Sequence, residues 1–322
     1  YDGTCREKGL GPGPDTVVRL KTPDTGTTTI DDTVKGVIVF ENDELDDFVL
    51  CRSDGTPTYN FAAVVDDIDM DINTIIRGDD HVMNTPKQIL LYRALGAALP
   101  VFAHVPMVLG DDRTRLSKRH GATSVTAYRD MGLLPDAFIN FLARLGWSLG
   151  DREVFNRQAL IERFTLDRVG KSAGIFDPVK LQALNADHIQ AATPQALGPQ
   201  LLPFLTAKGW GAKNDDYLHG IIPTLQPRSK TLQEMADQAH FFYTEIETYD
   251  EKAAKKFLKG SVLEPLNTLK DRLEATEDYS EASLETLFSA LLEEYHIKLG
   301  KIAQPVRVAL TGTGVSPGIF EI

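Results

Sequence analysis

The stretch from Thr74 to Leu109 leaves this chain few folds to choose from. Thr74 to Arg77 has the look of a short buried strand. Pro86 and Gly96 bracket a helical pattern from Thr85 to Leu95, and Val101 to Leu109 is apolar again. Strand, helix, strand is one half of a doubly wound sheet, so an α/β fold is expected. Ligands bind such sheets beyond the carboxyl ends of the strands. Two loops should therefore face one ligand: Gly78-Asp79-Asp80-His81, and the basic run Arg115-Leu116-Ser117-Lys118-Arg119-His120-Gly121 that precedes a helical stretch from Ser124.

The basic run stands out because the chain around it is acidic, with a formal net charge of -12. A Lys- and Arg-rich loop at a strand-to-helix junction can hold phosphates, since backbone N–H groups and cationic side chains converge there. Acidity elsewhere argues against indiscriminate nucleic-acid binding but leaves room for a local basic face. At 322 residues, 42% of them hydrophobic, the chain has room for two or three domains. Two cysteines, Cys5 and Cys51, cannot frame a disulfide scaffold, which favours a reducing, cytoplasmic setting. No apolar run reaches the roughly 18 to 20 residues a membrane span needs, so no membrane is expected. The chain starts at Tyr1 rather than Met, and Ile322 follows a strand-like segment, so a fragment of a longer protein is expected.

Before the central stretch, residues 1 to 15 are Gly- and Pro-rich and read as a loop. Val17 to Lys21, Thr27 to Ile30, Val34 to Phe40 and Phe48 to Arg52 then read as a small antiparallel unit. Asn60 to Asp69 suits a helix. After the basic loop the pattern turns helical: Ser124 to Met131, Pro135 to Leu145, Arg157 to Phe164, Pro178 to Asn185 and Ala196 to Lys208 come first. Leu232 to Tyr243, Glu251 to Leu258, Leu263 to Glu274 and Glu281 to Tyr295 follow, and a domain boundary is expected near Thr193-Pro194.

Taken together, Arg77-Gly78-Asp79-Asp80-His81, Asn84-Thr85-Pro86-Lys87-Gln88 and the Arg115 to Gly121 loop resemble the glutamyl-tRNA synthetases, a family of class I aminoacyl-tRNA synthetases. Tyr1-Asp2-Gly3, Thr58-Tyr59-Asn60-Phe61, Leu145-Gly146-Trp147, Phe176-Asp177 and Ala303-Gln304-Pro305 match in the same order. The resemblance implies the second half of a class I Rossmann-like catalytic domain with a small α+β acceptor-stem insertion, followed by all-α stem-contact and helical anticodon-binding domains. Residues 1–58 would end the insertion and 59–121 would complete the catalytic domain. Residues 122–193 would form the stem-contact domain, and 194–322 the anticodon-binding region.

The basic loop is similar to the second class I signature. It would bind ATP, with Lys118 as the chief catalytic cation on the departing pyrophosphate, Arg119 assisting and Ser117 offering a hydroxyl or backbone contact. Arg115 replaces the more usual first lysine of the signature and would also face ATP. The resemblance gives Arg77 and Tyr59 to the glutamate pocket, where a planar guanidinium can grip a carboxylate through two parallel bonds. It gives Asp80 and His81 to ATP and Asp79 to the tRNA terminus. Arg228 resembles the arginine that reads an anticodon base in members strict for glutamate tRNA. The implied partners are ATP with Mg2+ as its counter-ion, L-glutamate and tRNA(Glu), with tRNA(Gln) left open, and the protein is expected to be a monomer.

Two departures qualify the match. The first class I signature and an upstream arginine would precede Tyr1, so the fragment by itself is expected to be catalytically incomplete. Some members bind zinc, but here Cys5 is followed by Glu7 where those have His, so no metal is expected. Competing readings are a tRNA- or partner-binding fragment without catalysis, a truncated relative that glutamylates a tRNA base, and a glutaminyl enzyme. The truncated relative lacks a long helical C-terminal region, and the glutaminyl enzyme replaces it with a β-barrel.

Overall fold

From Asn73 to Val105 the backbone of the computed structural model follows the alternation of apolar runs. Strand β5 (Thr74–Gly78) leads through a 3-10 turn (Asp79–Asn84) into α3 (Thr85–Ala94), which returns the chain to β6 (Val101–Val105). The two strands lie parallel, with Thr74 opposite Val101 and Gly78 opposite Val105. Pro86 sits in the first turn of α3, where a missing N–H costs no hydrogen bond. Ile89, Leu91 and Tyr92 of this helix join Val64 of α2 (Tyr59–Asp69), Ile30, Phe48 and Phe102 in one core. The structure describes every residue except 2, 9, 10, 12, 118 to 123, 212 and 213. It divides into two compact units, residues 1–123 with 139–178, and 124–138 with 179–322.

In the first unit a single helical turn, α1 (Thr4–Glu7), occupies part of the expected N-terminal loop. Strands β1 (Val18–Arg19) and β4 (Val49–Cys51) pair antiparallel, as do β2 (Thr27–Asp32) and β3 (Gly36–Glu41). The antiparallel unit does not stand apart from the main sheet, however. Asp32 at the end of β2 pairs in parallel with Phe102, giving one sheet in the order β3-β2-β6-β5. Along β2, Thr28, Ile30 and Asp32 are buried while their neighbours are exposed, the period of two expected of a half-buried strand.

Two expectations for this unit need correction. The presumed polar loop after Arg77 is the 3-10 turn, and the presumed single strand from Val101 to Leu109 is broken. Pro106 carries no N–H for a ladder; β6 ends before it and β7 (Val108–Leu109) pairs instead with β8 (Gly174–Ile175). A satellite core of Trp147, Phe155 and Leu160 forms around α6 (Arg157–Arg163). The Trp147 and Phe155 rings meet edge to face at 5.4 Å, a favoured aromatic arrangement. Helix α5 (Pro135–Arg144) belongs to this unit from residue 139 onward, and α4 (Val125–Asp130) belongs to the second.

The second unit is helical, with α7 (Pro178–Ala191), α8 (Pro194–Ala207), α9 (Asp215–Leu225) and α10 (Leu232–Gln238) around a core that includes Leu197, Leu201, Ile222 and Met235. Side-chain caps start several helices: Asn214 accepts from the Tyr217 N–H at 2.6 Å and Thr231 from the Glu234 N–H at 3.1 Å. Gly132, at φ 82°, lets its carbonyl accept from the Leu232 N–H at 2.8 Å. A side chain there would meet the Gln233 nitrogen at 2.5 Å. Beyond α11 (His240–Tyr243) and α12 (Glu251–Phe257), helices α13 (Leu263–Ala275), α14 (Glu281–Glu294) and α15 (Leu299–Thr311) share a second core of Leu269, Phe288, Leu291, Ile302 and Val306. Helices α9 and α15 had no counterpart in the sequence reading, Leu232 to Tyr243 is two helices, and the residues just before Ile322 form a turn rather than a strand. Pro223 and Pro305 lie inside α9 and α15, and the buried apolar faces of these helices outweigh the interruption.

Candidate active site

Arg77 reaches the site from the C-terminal end of β5, and its surroundings explain what it can do. Its Nε donates to His104 Nε2 at 3.1 Å, and its Nη2 donates to Thr85 Oγ1 at 2.8 Å and Gln88 Oε1 at 2.7 Å. Thr85 and Gln88 stand three apart on α3, which puts them on one helical face. Gln88 in turn donates to Asn60 Oδ1 at 3.2 Å, so the start of α2 braces the same group. Among the described residues no carboxylate pairs with Arg77. Burial pushes the guanidinium down from its ordinary range, opposed by Tyr59, Asp67 and Tyr92, and it stays cationic at physiological pH. The result is a half-buried positive charge fixed in direction but not neutralised.

Tyr59, at the N-terminus of α2, is 57% exposed. Its ring lies 6.2 Å from that of His81, and its hydroxyl interacts with Arg77. The two side chains assigned to one pocket are therefore within electrostatic reach of each other. Behind Arg77, His104 and Asp32 are both fully buried, with His104 Nδ1 2.6 Å from Asp32 Oδ2. Asp32 also accepts the backbone N–H groups of Val34 at 3.0 Å and Lys35 at 2.8 Å. Desolvation works against its charge, but these donors together with His104 hold the carboxyl below the usual range.

The 3-10 turn after β5 presents its acids to cations. Asp79 pairs with Lys35 at 2.8 Å, and Asp80 pairs with Arg115 at 3.3 Å. The second contact joins the two loops that the sheet rule placed beside one ligand. A Cβ at Gly78 would lie 2.6 Å from Asp80 Oδ1, so a larger residue there would make the Asp80 carboxylate shift. His81 Nδ1 lies 3.2 Å from Asn84 Nδ2, while its carbonyl accepts from Thr85 Oγ1 at 3.3 Å. Pairing leaves Asp79 and Asp80 poorly suited to take up a cation of their own.

The basic run does not follow its strand directly. Gly110 to Thr114 make a tight hairpin: the Arg113 N–H donates to the Gly110 carbonyl at 3.0 Å, and Arg113 adopts φ 59°. This is the three-residue hairpin geometry, a turn followed by a left-handed residue. The chain then returns antiparallel, Arg115 bridging Leu109 and the Leu116 N–H donating to Val108 at 3.0 Å. Arg115 and Ser117 are exposed at the start of the loop. Lys118 and Arg119, the proposed catalytic cations, lie outside the described residues.

In the helical unit, Arg228 ends a 3-10 turn (Gln226–Arg228) and donates through Nη1 to the Ser316 carbonyl. Cys5 is exposed and Cys51 is intermediate. Among the described residues no group of three or more His, Cys, Asp or Glu side chains could hold a metal ion. Sequence reasoning missed Asp32, Lys35 and His104. A histidine inside an apolar strand is a usable signal, but Asp32, 72 residues away, offers none until the sheet is known.

Comparison with known proteins identifies the family. The family described as tRNA synthetases class I (E and Q), catalytic domain, matches residues 5–183, and the anticodon binding domain family matches 196–322. A glutamate–tRNA ligase of Syntrophobacter fumaroxidans is 60% identical over 322 residues, covering 100% of this chain and 69% of that protein. One from Desulfosudis oleivorans is 61% identical, with 100% and 69% covered. The crystal structure of a glutamate tRNA ligase from Elizabethkingia meningosepticum, in complex with its amino acid, superposes with a TM-score of 0.84 at 28% identity. It covers 98% of this chain and 66% of that one.

Proposed function

The chain belongs to the glutamate–tRNA ligases, class I tRNA synthetases, and from that premise we propose that it supplies the glutamate-selecting and pyrophosphate-facing side of an ATP-dependent ligase. In the first step a glutamate α-carboxylate oxygen attacks the α-phosphorus of ATP, and the bond to pyrophosphate breaks. In the second, a ribose hydroxyl at the tRNA 3′ end attacks the acyl carbon and AMP leaves. The observation that carries the reading is the uncancelled guanidinium of Arg77 beside Tyr59. It is the group a side-chain carboxylate needs, and it repels the amide N–H donors of glutamine.

Arg115, opposite Asp80, starts the loop whose Lys118 and Arg119 meet the negative charge growing on pyrophosphate; Ser117 adds a polar contact. Asp80 and His81 border the nucleotide and Asp79 the tRNA terminus. Mg2+ arrives as the counter-ion of ATP, held by the phosphates, since Asp79 and Asp80 are already paired. Residues 1–58 end the acceptor-stem insertion, 59–121 complete the catalytic half, 122–193 contact the stem and 194–322 bind the anticodon, with Arg228 toward an anticodon base of tRNA(Glu). The setting is cytoplasmic and the enzyme a monomer; among the described residues no helix is long and apolar enough to cross a membrane.

The test is ATP–pyrophosphate exchange by the full-length protein with tRNA present and single amino acids supplied in turn. Glutamate alone should support exchange. Equal exchange with glutamine, or none with glutamate, would refute the reading.

A further inference from the structure

We propose that Asp32 and His104 are positioning residues for amino-acid selection: Asp32 locks His104 in the tautomer whose Nε2 accepts from Arg77, and this aims the guanidinium at the substrate carboxylate. The inference rests on the reading of Arg77 as the glutamate-binding residue.

Thr85 Oγ1, 3.0 Å from His104 Nε2, can donate or accept and fits either tautomer, so Arg77 and Asp32 decide it. Arg77 Nε carries a hydrogen and can only donate, so His104 Nε2, 3.1 Å away, must present its lone pair. The proton of the neutral ring then sits on Nδ1, facing Asp32 Oδ2 at 2.6 Å. Asp32 cannot turn away, because its other oxygen takes the Val34 and Lys35 N–H groups and both oxygens meet the His104 backbone N–H, at 3.2 and 3.0 Å. A fully buried Asp–His pair contributes little stability that apolar packing could not match. What apolar packing could not provide is an uncharged acceptor for Arg77. A carboxylate in direct contact with Arg77 would cancel the charge that glutamate needs. The imidazole instead transmits a fixed direction and leaves that charge intact. With Nε and Nη2 committed to His104, Thr85 and Gln88, Nη1 is the nitrogen that remains for the substrate and for the Tyr59 hydroxyl.

The experiment uses the full-length synthetase in ATP–pyrophosphate exchange with tRNA, reading KM for glutamate and for ATP, kcat, and inhibition by glutamine. Arg77→Ala serves as the reference. His104→Asn keeps an amide near Nδ1 but offers nothing at Nε2, whereas His104→Gln places an amide oxygen near Nε2. Asp32→Asn keeps the turn but presents N–H donors to Nδ1, moving the ring proton to Nε2, where it opposes Arg77. We expect His104→Asn and Asp32→Asn to raise the glutamate KM about ten-fold or more, a loss of one charge-assisted contact. The ATP KM should hold and glutamine should inhibit better, while His104→Gln recovers most of the glutamate KM. In Asp32→Asn, the imidazole 15N shifts of His104 should report the Nε2-protonated form.

If His104→Asn leaves the glutamate KM unchanged while Arg77→Ala raises it, the positioning role is wrong and the glutamate reading stands. If Arg77→Ala itself leaves the glutamate KM unchanged, that reading falls and takes the positioning role with it. Equal losses in glutamate KM, ATP KM and melting temperature for His104→Asn and His104→Gln would mark the pair as structural and also overturn the proposal.

Discussion

Replacing Arg77 by lysine separates the charge of the site from its geometry. Lysine keeps the positive charge but concentrates its donors on one nitrogen, so it cannot serve His104, Thr85 and Gln88 and also present a donor to a carboxylate. Either the bond to the substrate carboxylate is lost or at least one buried acceptor goes without a donor. A hydrogen bond to a charged group contributes about 1.5 to 3 kcal/mol, and the half-exposed position argues for the lower part of that range. A loss of about 2 kcal/mol corresponds to roughly 30-fold weaker glutamate binding. Arg77→Ala, which removes the charge as well, should cost about 3.5 kcal/mol, or roughly 300-fold. Equilibrium glutamate binding to the full-length protein, with ATP binding as the internal control, measures both. A lysine variant within about three-fold of the parent would mean that charge alone selects glutamate and that the fixed fork is irrelevant.

Lys118→Ala should lower kcat of pyrophosphate exchange by about 100-fold or more with the glutamate KM nearly unchanged, because its charge acts on the leaving group; normal exchange would remove the loop from the chemistry. Gly132→Ala combines a left-handed backbone angle with a 2.5 Å approach to the Gln233 nitrogen. It should destabilise the helical unit by about 2 to 4 kcal/mol in chemical denaturation, and an unchanged midpoint would contradict the close packing described. At Asp47, the Arg6 guanidinium, together with donors from Thr22, holds the carboxyl well below the ordinary range despite opposing desolvation. A depressed folded pKa stabilises above the unfolded value and is lost as pH falls through the folded one. Stability should therefore decline below about pH 4, and Asp47→Asn should flatten that decline; identical acid limbs would count against the pairing.

The catalytic half was legible in the sequence where pattern and chemistry coincide. Pro86 and Gly96 marked α3, apolar runs marked β5 and β6, and the placement of two loops beside one ligand reappears as the Asp80–Arg115 pair. What the sequence hid were contacts made across the sheet. Asp32 lay in a segment that reads as part of a separate antiparallel unit, and only its pairing with Phe102 brings it under His104. The break at Pro106 was visible as a residue, but the apolar run around it dominated the reading. Helices α9 and α15 were hidden by Pro223 and Pro305, since local propensity does not register the cores that hold them.

That break at Pro106 divides the site into parts of unequal stiffness. Arg77 and its supports are rooted in a sheet paired along the whole of β5, with an apolar core packed against it. The strand that carries the basic loop is two residues long and leans on another of the same length. A short ladder yields at lower free energy than a long one, so amides of β7 should exchange with solvent well before those of β6. On the roles proposed above, amino-acid selection would rest on the stiff part like a fixed gauge, and the nucleotide side on the part that yields first.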